Sequence, residues 1–261
     1  MKKVLLMAAL VSTLVACNKS GYTISGDVQG FTEGTKVYLS KIENDQLVKI
    51  DSTEIKGTSF EMKGEATEIE YSFLEIGNGK DQEPFRIAMI LENGDIKVVA
   101  DKNDQTKSKV TGSKNNDDLA KFNDIAYPIS KQIQDFQVAN NEKFQAAAAA
   151  SDMATVQAMM AEMQGMQQKL MDEGIKFVDA NKDSYVSLLL LAQFGGQLPQ
   201  DQIKAKFDAL SDEVKNTKIG KEISTQLNAP APTEAPAPVQ APVQEEAPVT
   251  TEEVPAEAPT K

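Results

Sequence analysis

The sequence predicts an α+β protein, in which an N-terminal antiparallel β-sandwich or partly open barrel is followed by a helical region and a disordered tail. Three observations lead to this class. Short runs with strand-like alternation, separated by turn residues, extend to about Gly112. Apolar residues then recur at helical spacing from Asn115 to about Asn228. Beyond Asn228, proline, alanine and glutamate dominate the composition.

The β region contains about eight short strand-like runs at roughly 10-residue spacing, which is typical of a sandwich or barrel. In Phe60-Glu61-Met62-Lys63, for example, the apolar side chains point one way and the charged ones the other. The predicted strands are Tyr22–Val28, Lys36–Lys41, Leu47–Thr53, Ser59–Lys63, Ile69–Ile76, Phe85–Leu91, Ile96–Ala100 and Lys107–Thr111.

In the helical region, we expect Asn116, Asp117 and Asp118 to supply caps and first-turn negative charge to a first helix, and Pro128 to end or kink it. Ser151-Asp152 is expected to separate two long helices that form a hairpin. The predicted segments after the first helix are Ile129–Ala150, Asp152–Ala180, Ser184–Phe194 (ended by Gly195-Gly196), Pro199–Leu210 and Asp212–Leu227.

The last segment, residues 229–261, holds eight of the eleven prolines and no aromatic residue. Such a composition cannot bury enough apolar surface to offset the entropy of ordering, so we expect disorder with polyproline-II bias. One interpretation is an acidic solubilising tail or a relic linker, and the other is a spacer or a proline-motif ligand.

The only cysteine, Cys17, lies in the run Leu14-Val15-Ala16-Cys17. Lys2 and Lys3 precede an apolar stretch of about 12 residues, which is typical of a secretory signal peptide and too short to span a bilayer. A cysteine directly after small residues predicts a bacterial lipoprotein signal. We expect cleavage between Ala16 and Cys17, and an S-diacylglycerol and N-palmitoyl anchor on Cys17.

This interpretation divides the chain into five parts. They are a signal peptide (1–16), a lipidated tether (17–21), an antiparallel β domain (22–114), a helical region (115–228) and the tail (229–261). Asn18 follows the cysteine and no acidic cluster comes next, which favours the outer membrane, facing the periplasm.

Composition excludes several function classes. The chain has no histidine, and lipid would occupy its one thiol, so imidazole and thiolate chemistry are excluded. The formal net charge is −12, which argues against nucleic acid as a partner. We expect no cofactor, no metal site and no catalytic residue. The expected partners are the membrane, reached through the lipid anchor, and an unidentified envelope protein, with the oligomeric state open.

Three patterns permit other interpretations. The methionines Met153, Met159, Met160, Met163, Met166 and Met171 could pack in a core, line an adaptable groove or, at the three-residue spacing of Met160, Met163 and Met166, bind Cu(I). The acids Glu92, Asp104, Asp117 and Asp118 could suggest calcium, but no calcium-loop pattern is present. Asp51 with Ser52 could form a catalytic pair, although hydrogen bonding at a strand end is the simpler interpretation.

The β region resembles a family of lipoprotein domains known as domain of unknown function 4369. The matching stretches are Ile24–Gly30, Lys36–Leu39, Asp51–Thr53, Gly57–Gly64, Leu91–Ile96 and Val110–Asn116. Within them, Gly26, Gly57 and Gly64 are expected at turns or bulges.

In many relatives a thioredoxin-like domain of the TlpA/AhpC type, with a Cys-x-x-Cys motif, follows the helical region. This resemblance implies a thiol-disulfide oxidoreductase, but no Cys-x-x-Cys motif occurs in this sequence. We therefore expect the redox domain to be absent and the protein to be a non-catalytic envelope lipoprotein with a binding or scaffolding role. The alternative is an accessory relative that acts with a separate redox partner.

Overall fold

The computed structural model describes residues 21–44, 46–77 and 83–229. The predicted signal peptide, Cys17 and the tail from residue 230 onward lie outside the described residues. The described residues up to Leu227 cluster as one compact unit.

Eight strands form close to the predicted positions. They are β1 (Tyr22–Gln29), β2 (Lys36–Glu43), β3 (Gln46–Glu54), β4 (Ser59–Gly64), β5 (Glu70–Ile76), β6 (Phe85–Leu91), β7 (Gly94–Asp101) and β8 (Lys109–Thr111). The eighth is shorter than predicted, because Lys107 ends a 3₁₀ turn, Gln105–Lys107, that Asp104 caps.

The strands form two four-stranded sheets, in the orders β4-β1-β7-β8 and β3-β2-β5-β6. Neither sheet closes on itself, so the sandwich is confirmed rather than the barrel. One pair departs from the antiparallel prediction: β1 and β7 run parallel, with Ile24 opposite Ile96. Alternating apolar residues identify a strand but not the direction of its neighbour, since parallel and antiparallel pairing bury the same face of the strand.

The sandwich core lies between the two sheets. Inward-facing side chains of β1 and β7, such as Ile24 and Ile96, meet those of β2 and β5, such as Leu39 and Leu74. All four are fully buried. Each fully buried aliphatic side chain of this kind contributes roughly 1.5–3 kcal/mol.

Two inward-facing glycines accept aromatic rings from the neighbouring strand. Gly26 lies opposite Phe60, and Gly64 lies opposite Tyr22. A Cβ atom at either glycine would overlap the ring that covers it. The prediction of turns or bulges is therefore wrong for Gly26 and Gly64, whereas Gly57 does lie in a turn, with a φ of 62°.

Six helices follow the sheets: α1 (Lys114–Ala149), α2 (Met153–Ala180), α3 (Tyr185–Phe194), α4 (Gln200–Asp208), α5 (Asp212–Lys215) and α6 (Lys218–Asn228). The predicted hairpin is confirmed, with Asp152 capping α2 through the amide of Thr155. The predicted last helix, Asp212–Leu227, is instead two helices, α5 and α6.

Of the two effects predicted for Pro128, an end or a kink of the first helix, the end is wrong, because α1 continues through Pro128. Proline removes one helical hydrogen bond, which leaves the carbonyl of Asp124 without its intrahelical partner. Pro128 and Asp124 are both exposed, so water can hydrate that carbonyl. Burial of Phe122 and Ile129 on either side favours continuation of the helix.

A second core joins the helices to the outer face of the second sheet. Ile90 of β6 packs with α3 residues Leu188 and Leu191, while its neighbour Met89 points into the sandwich. Phe122 of α1 and Phe177 of α2 meet edge to face, with ring centroids 5.5 Å apart. At β6, the second sheet is therefore covered on one face by the first sheet and on the other by the helices.

Candidate functional site

The start of α1 is joined to the edge of the second sheet by the side chain of Asn116. Its amide nitrogen donates to the carbonyl of Ile90 at 2.7 Å, and its amide oxygen accepts from the Ile90 N–H at 2.9 Å. Asn116 is fully buried. Its side chain therefore satisfies the backbone N–H and carbonyl of Ile90 on the edge strand β6, as the backbone of a neighbouring strand would.

Asn115 makes a second link at the same junction. Glu92 accepts from the backbone and side-chain nitrogens of Asn115, at 2.9 and 2.7 Å. The side-chain oxygen of Asn115 accepts from the N–H of Tyr185 at the start of α3, at 2.8 Å. These residues connect β6, α1 and α3, so their chemistry is structural.

Asp118, in the first turns of α1, is an ion-paired carboxylate beside the junction. Its side chain is 8% exposed and lies 3.0 Å from Lys121 and 3.2 Å from Lys114. Burial acts to raise the pKa of Asp118, but the neighbouring side chains of Lys121, Ser184 and Lys114 together outweigh it and hold the pKa below its usual value. The prediction that Asn116 and Asp118 supply caps is wrong, because Ser113 is the N-cap residue of α1, whereas the predicted negative charge in the first turn is present as Asp117.

The second sheet carries a buried carboxylate that sequence patterns did not single out. Glu75 of β5 accepts from the Ser40 hydroxyl at 2.6 Å and pairs with Arg86 at 3.0 Å. Burial acts to raise the pKa of Glu75. The hydrogen bonds from Ser40 and Arg86, with the charges of Arg86 and Lys49, outweigh that effect and lower the pKa. Ser40 is fully buried and bonded, which suits a structural role rather than a nucleophile.

We expect Glu75→Gln to lower the free energy of unfolding by about 1–3 kcal/mol at pH 7, since it weakens a buried charge-assisted network. The folded-state pKa of Glu75 is depressed. Its stabilisation is therefore complete above the unfolded-state pKa of 4.5 and is lost as the pH falls through the folded-state pKa. The difference between wild type and variant should shrink on acidification. Urea unfolding between pH 7 and pH 3 measures it.

The matched control is Glu54→Gln, which removes an exposed ion pair with Lys36. Its effect should be much smaller, because exposed pairs are screened by solvent. A Glu75→Gln variant as stable as wild type at pH 7 would contradict the role given to this network.

One end of the sandwich forms an open cleft of about 690 Å³. Phe31 and Phe85 meet edge to face there, 5.3 Å apart, beside Lys36, Arg86 and Lys102. Lys36 and Arg86 are paired with Glu54 and Glu75. The connection from β5 to β6 beside this cleft includes residues 78–82, which lie outside the described residues, and we assign no ligand to it.

A second cavity, of about 300 Å³, lies on the helical hairpin. Its walls come from both helices. They are Phe136, Gln137, Asn140, Asn141 and Phe144 of α1, and Met159, Met160 and Met163 of α2. Two aromatic rings and three thioethers make the lining apolar, while the side-chain amides supply hydrogen-bonding groups. Concave apolar surfaces with a few polar groups are typical of binding sites.

Some methionines of α2 are buried, and others are exposed or line the groove. Met159 and Met171 are buried, whereas Met153 and Met160 are 57% and 43% exposed. The groove brings together Met159, Met160 and Met163, and Met166 is not part of its lining. The three-residue series considered for Cu(I) is thus not gathered in this groove. Among the described residues, no group of histidine, cysteine, aspartate or glutamate side chains could hold a metal ion.

The acids considered for calcium have separate structural partners. Asp104 accepts from the N–H of Thr106, and Asp117 accepts from the N–H of Gly112. Glu92 belongs to the junction, and Asp118 pairs with Lys114 and Lys121 of its own helix. Asp51 accepts from the N–H of Ser52 at 2.7 Å, so that pair forms the predicted local hydrogen bond at the edge strand β3.

Fold and site together define an open β-sandwich whose edge strand is joined to a helical region bearing a long hairpin with an apolar groove. A family model described as Domain of unknown function (DUF4369) matches residues 22–119, which span all eight strands and the first turns of α1. This part of the chain is therefore a DUF4369 domain, and the match includes the junction residues Glu92, Asn115 and Asn116. No curated protein matches the chain, and no solved structure does.

Within residues 21–44, 46–77 and 83–229, no helix has the length and hydropathy needed to cross a bilayer.

Proposed function

We propose that this protein is a non-catalytic lipoprotein of the cell envelope, anchored through lipid on Cys17, whose helical hairpin serves as a binding surface. The observation that carries the binding role is the apolar groove between α1 and α2. Phe144 and Met160 at this groove are 39% and 43% exposed. Exposed apolar side chains that cluster around a concave surface are typical of interaction sites.

The non-catalytic role is supported by the structural hydrogen bonds and ion pairs that the acidic side chains make. Glu75, Glu92 and Asp117 are held by hydrogen bonds to other segments of the fold, and Asp118 is held by ion pairs with Lys114 and Lys121 of its own helix. In the second sheet and at its junction with α1, the hydrogen bonds of these side chains stabilise the fold.

Anchorage at the membrane is supported by the sequence around Cys17: two lysines, a short apolar run and small residues before a single cysteine. Acyl chains contribute about 0.8 kcal/mol of membrane affinity for each buried CH₂ group, and several chains hold a protein stably. The acidic net charge of −12 leaves little attraction to anionic lipid headgroups, so the acyl chains would carry the membrane affinity.

We expect Cys17→Ser to abolish incorporation of an alkyne-palmitate label and to leave the signal peptide uncleaved at Ala16-Cys17. The serine hydroxyl does not replace the thiol to which diacylglycerol is attached. In-gel fluorescence after click chemistry, with membrane fractionation in a bacterial host that processes lipoproteins, measures both effects.

Ser12→Ala is the matched control, because it alters the apolar run and keeps Cys17. It should label and fractionate as wild type does. A palmitate-labelled Cys17→Ser protein would overturn the proposed anchor.

A further inference from the structure

The sulfur atoms of this chain are concentrated on one helix. Six of the ten methionines lie in α2, and the single cysteine is the proposed site of lipid attachment. The chain has no tryptophan and no histidine, so methionine is its main oxidisable side chain apart from Cys17. Hydroperoxides oxidise a thioether to a sulfoxide, and burial protects the sulfur from them.

Burial divides the methionines of α2 into accessible and protected side chains. Met153 and Met160 are exposed, and Met163 is half-buried. Met159 and Met171 are buried, as are the two methionines in the sandwich core. A hydroperoxide in solution therefore reaches Met153 and Met160 first.

Of these two exposed methionines, Met160 belongs to the groove and Met153 does not. Met160 forms the wall of the groove together with Met159 and Met163 of the same helix. Oxidation converts the apolar thioether into a polar, chiral sulfoxide. At Met160 this change alters the polarity of the groove, whereas at Met153 it leaves the groove lining as it is.

The groove also holds a hydrogen-bond donor that is directed at one of its sulfur atoms. The Nε2 of Gln137 on α1 donates to the Sδ of Met163 at 3.6 Å. A thioether is a weak acceptor. A sulfoxide oxygen on Met163 offers the same amide a stronger acceptor. The position of Gln137 therefore favours the oxidised form of Met163.

We propose that Met160 and Met163 form an oxidation site at which hydroperoxides convert the groove from an apolar to a polar surface. This inference concerns the regulation of the groove and rests on its proposed binding role. A sulfur lone pair attacks the outer oxygen of the hydroperoxide, so the S–O bond forms as the O–O bond breaks. The proton of the outer oxygen passes to the leaving oxygen.

The reaction balances without a further reactant. Sulfur is oxidised by two electrons to the sulfoxide, and the hydroperoxide is reduced to water or an alcohol. Methionine sulfoxide reductases return the sulfoxide to the thioether, so the change is reversible.

Oxidation at this site is expected to change binding rather than to unfold the protein. Neither hydrophobic core includes Met160 or Met163. Met171, in contrast, packs in the core that joins the helices to the second sheet, and it is buried. The outer part of α2 can therefore become polar without loss of core packing.

Peptide mapping by mass spectrometry tests the oxidation site. The full chain in membranes is treated with hydrogen peroxide, and the sulfoxide at each methionine of α2 is followed over time. We expect Met160 to be oxidised about tenfold faster than its buried neighbour Met159, with Met163 at an intermediate rate. Oxidation of Met159 as fast as that of Met160, or no sulfoxide at Met163, would overturn the site.

A fluorophore in the groove tests the change in polarity. Asn141→Cys places a thiol in the groove, where it is labelled with acrylodan, an uncharged dye whose emission shifts to the blue in apolar surroundings. Asn123→Cys, on the same helix but outside the groove lining, is the control position. The unsubstituted chain should take up no dye, because lipid occupies Cys17.

We expect bluer emission from position 141 than from position 123, and a red shift at position 141 alone once Met160 and Met163 are oxidised. Met160→Leu combined with Met163→Leu removes both sulfur atoms at similar side-chain volume and should abolish the red shift. Met153→Leu is the matched control, since it removes an exposed methionine outside the groove and should leave the red shift unchanged. Circular dichroism establishes that each variant is folded.

Two fluorescence results would overturn the switch. They are a red shift that persists in the folded double variant, and unchanged emission when Met160 and Met163 are intact and become oxidised. Equal emission from positions 141 and 123 before oxidation would instead count against the groove as a binding surface. Dye uptake by the unsubstituted chain would count against the lipid on Cys17.

Discussion

Asn116→Ala is expected to lower the free energy of unfolding by about 3 kcal/mol, since it leaves the buried N–H and carbonyl of Ile90 without partners. Both groups bond to Asn116 alone among the side chains that the structure describes, at 2.9 and 2.7 Å. The same change removes the bond from Asn116 to the Ser113 hydroxyl at 2.8 Å. Urea unfolding followed by circular dichroism measures the loss.

The control is Asn123→Ala, which alters an exposed asparagine two turns further along α1. Surface substitutions of this kind change stability by less than about 0.5 kcal/mol. If the two variants were equally stable, the backbone N–H and carbonyl of Ile90 would have other hydrogen-bond partners. That result would contradict the structural role given to Asn116.

Gly26→Ala is expected to destabilise the sandwich by about 2–3 kcal/mol, because the added methyl group occupies the space of the Phe60 ring. Phe60 is 5% exposed and is held in the core, so its ring cannot swing into solvent without losing buried area. Thermal unfolding should show a lower midpoint.

Gly165→Ala provides a control of opposite sign. Gly165 lies within α2, and a Cβ atom added there meets nothing within 4 Å. Alanine should stabilise the helix by about 0.5–1 kcal/mol, because glycine is the poorer helix former. If both substitutions destabilised the protein, the destabilisation by Gly26→Ala could not be assigned to the overlap of the added methyl group with the Phe60 ring.

Much of the fold follows from local patterns. Strands such as β4 and β6 appear within a residue of their predicted limits, since alternation of apolar residues and turn glycines acts over a few residues. The hairpin was also predictable, because Asp152 caps α2 where the sequence has a break.

The candidate site was only partly predictable. The spacing of the methionines on α2 allowed a groove, a core or a metal site, and the choice depended on which α1 residues face them. Glu75 was missed because a single glutamate in a strand has no local signature. Its partners, Ser40 and Arg86, lie 35 and 11 residues away in the sequence.

The sequence by itself determined the class of fold, the places of the strands and hairpin, and the resemblance of the β region to its family. These depend on periodicity and on residues close together in the chain. Only the tertiary structure decided that β1 and β7 run parallel, that α1 passes through Pro128, and that Asn116 completes the edge of β6. Each of these results depends on contacts between distant segments, where burial and hydrogen bonding outweigh local preference.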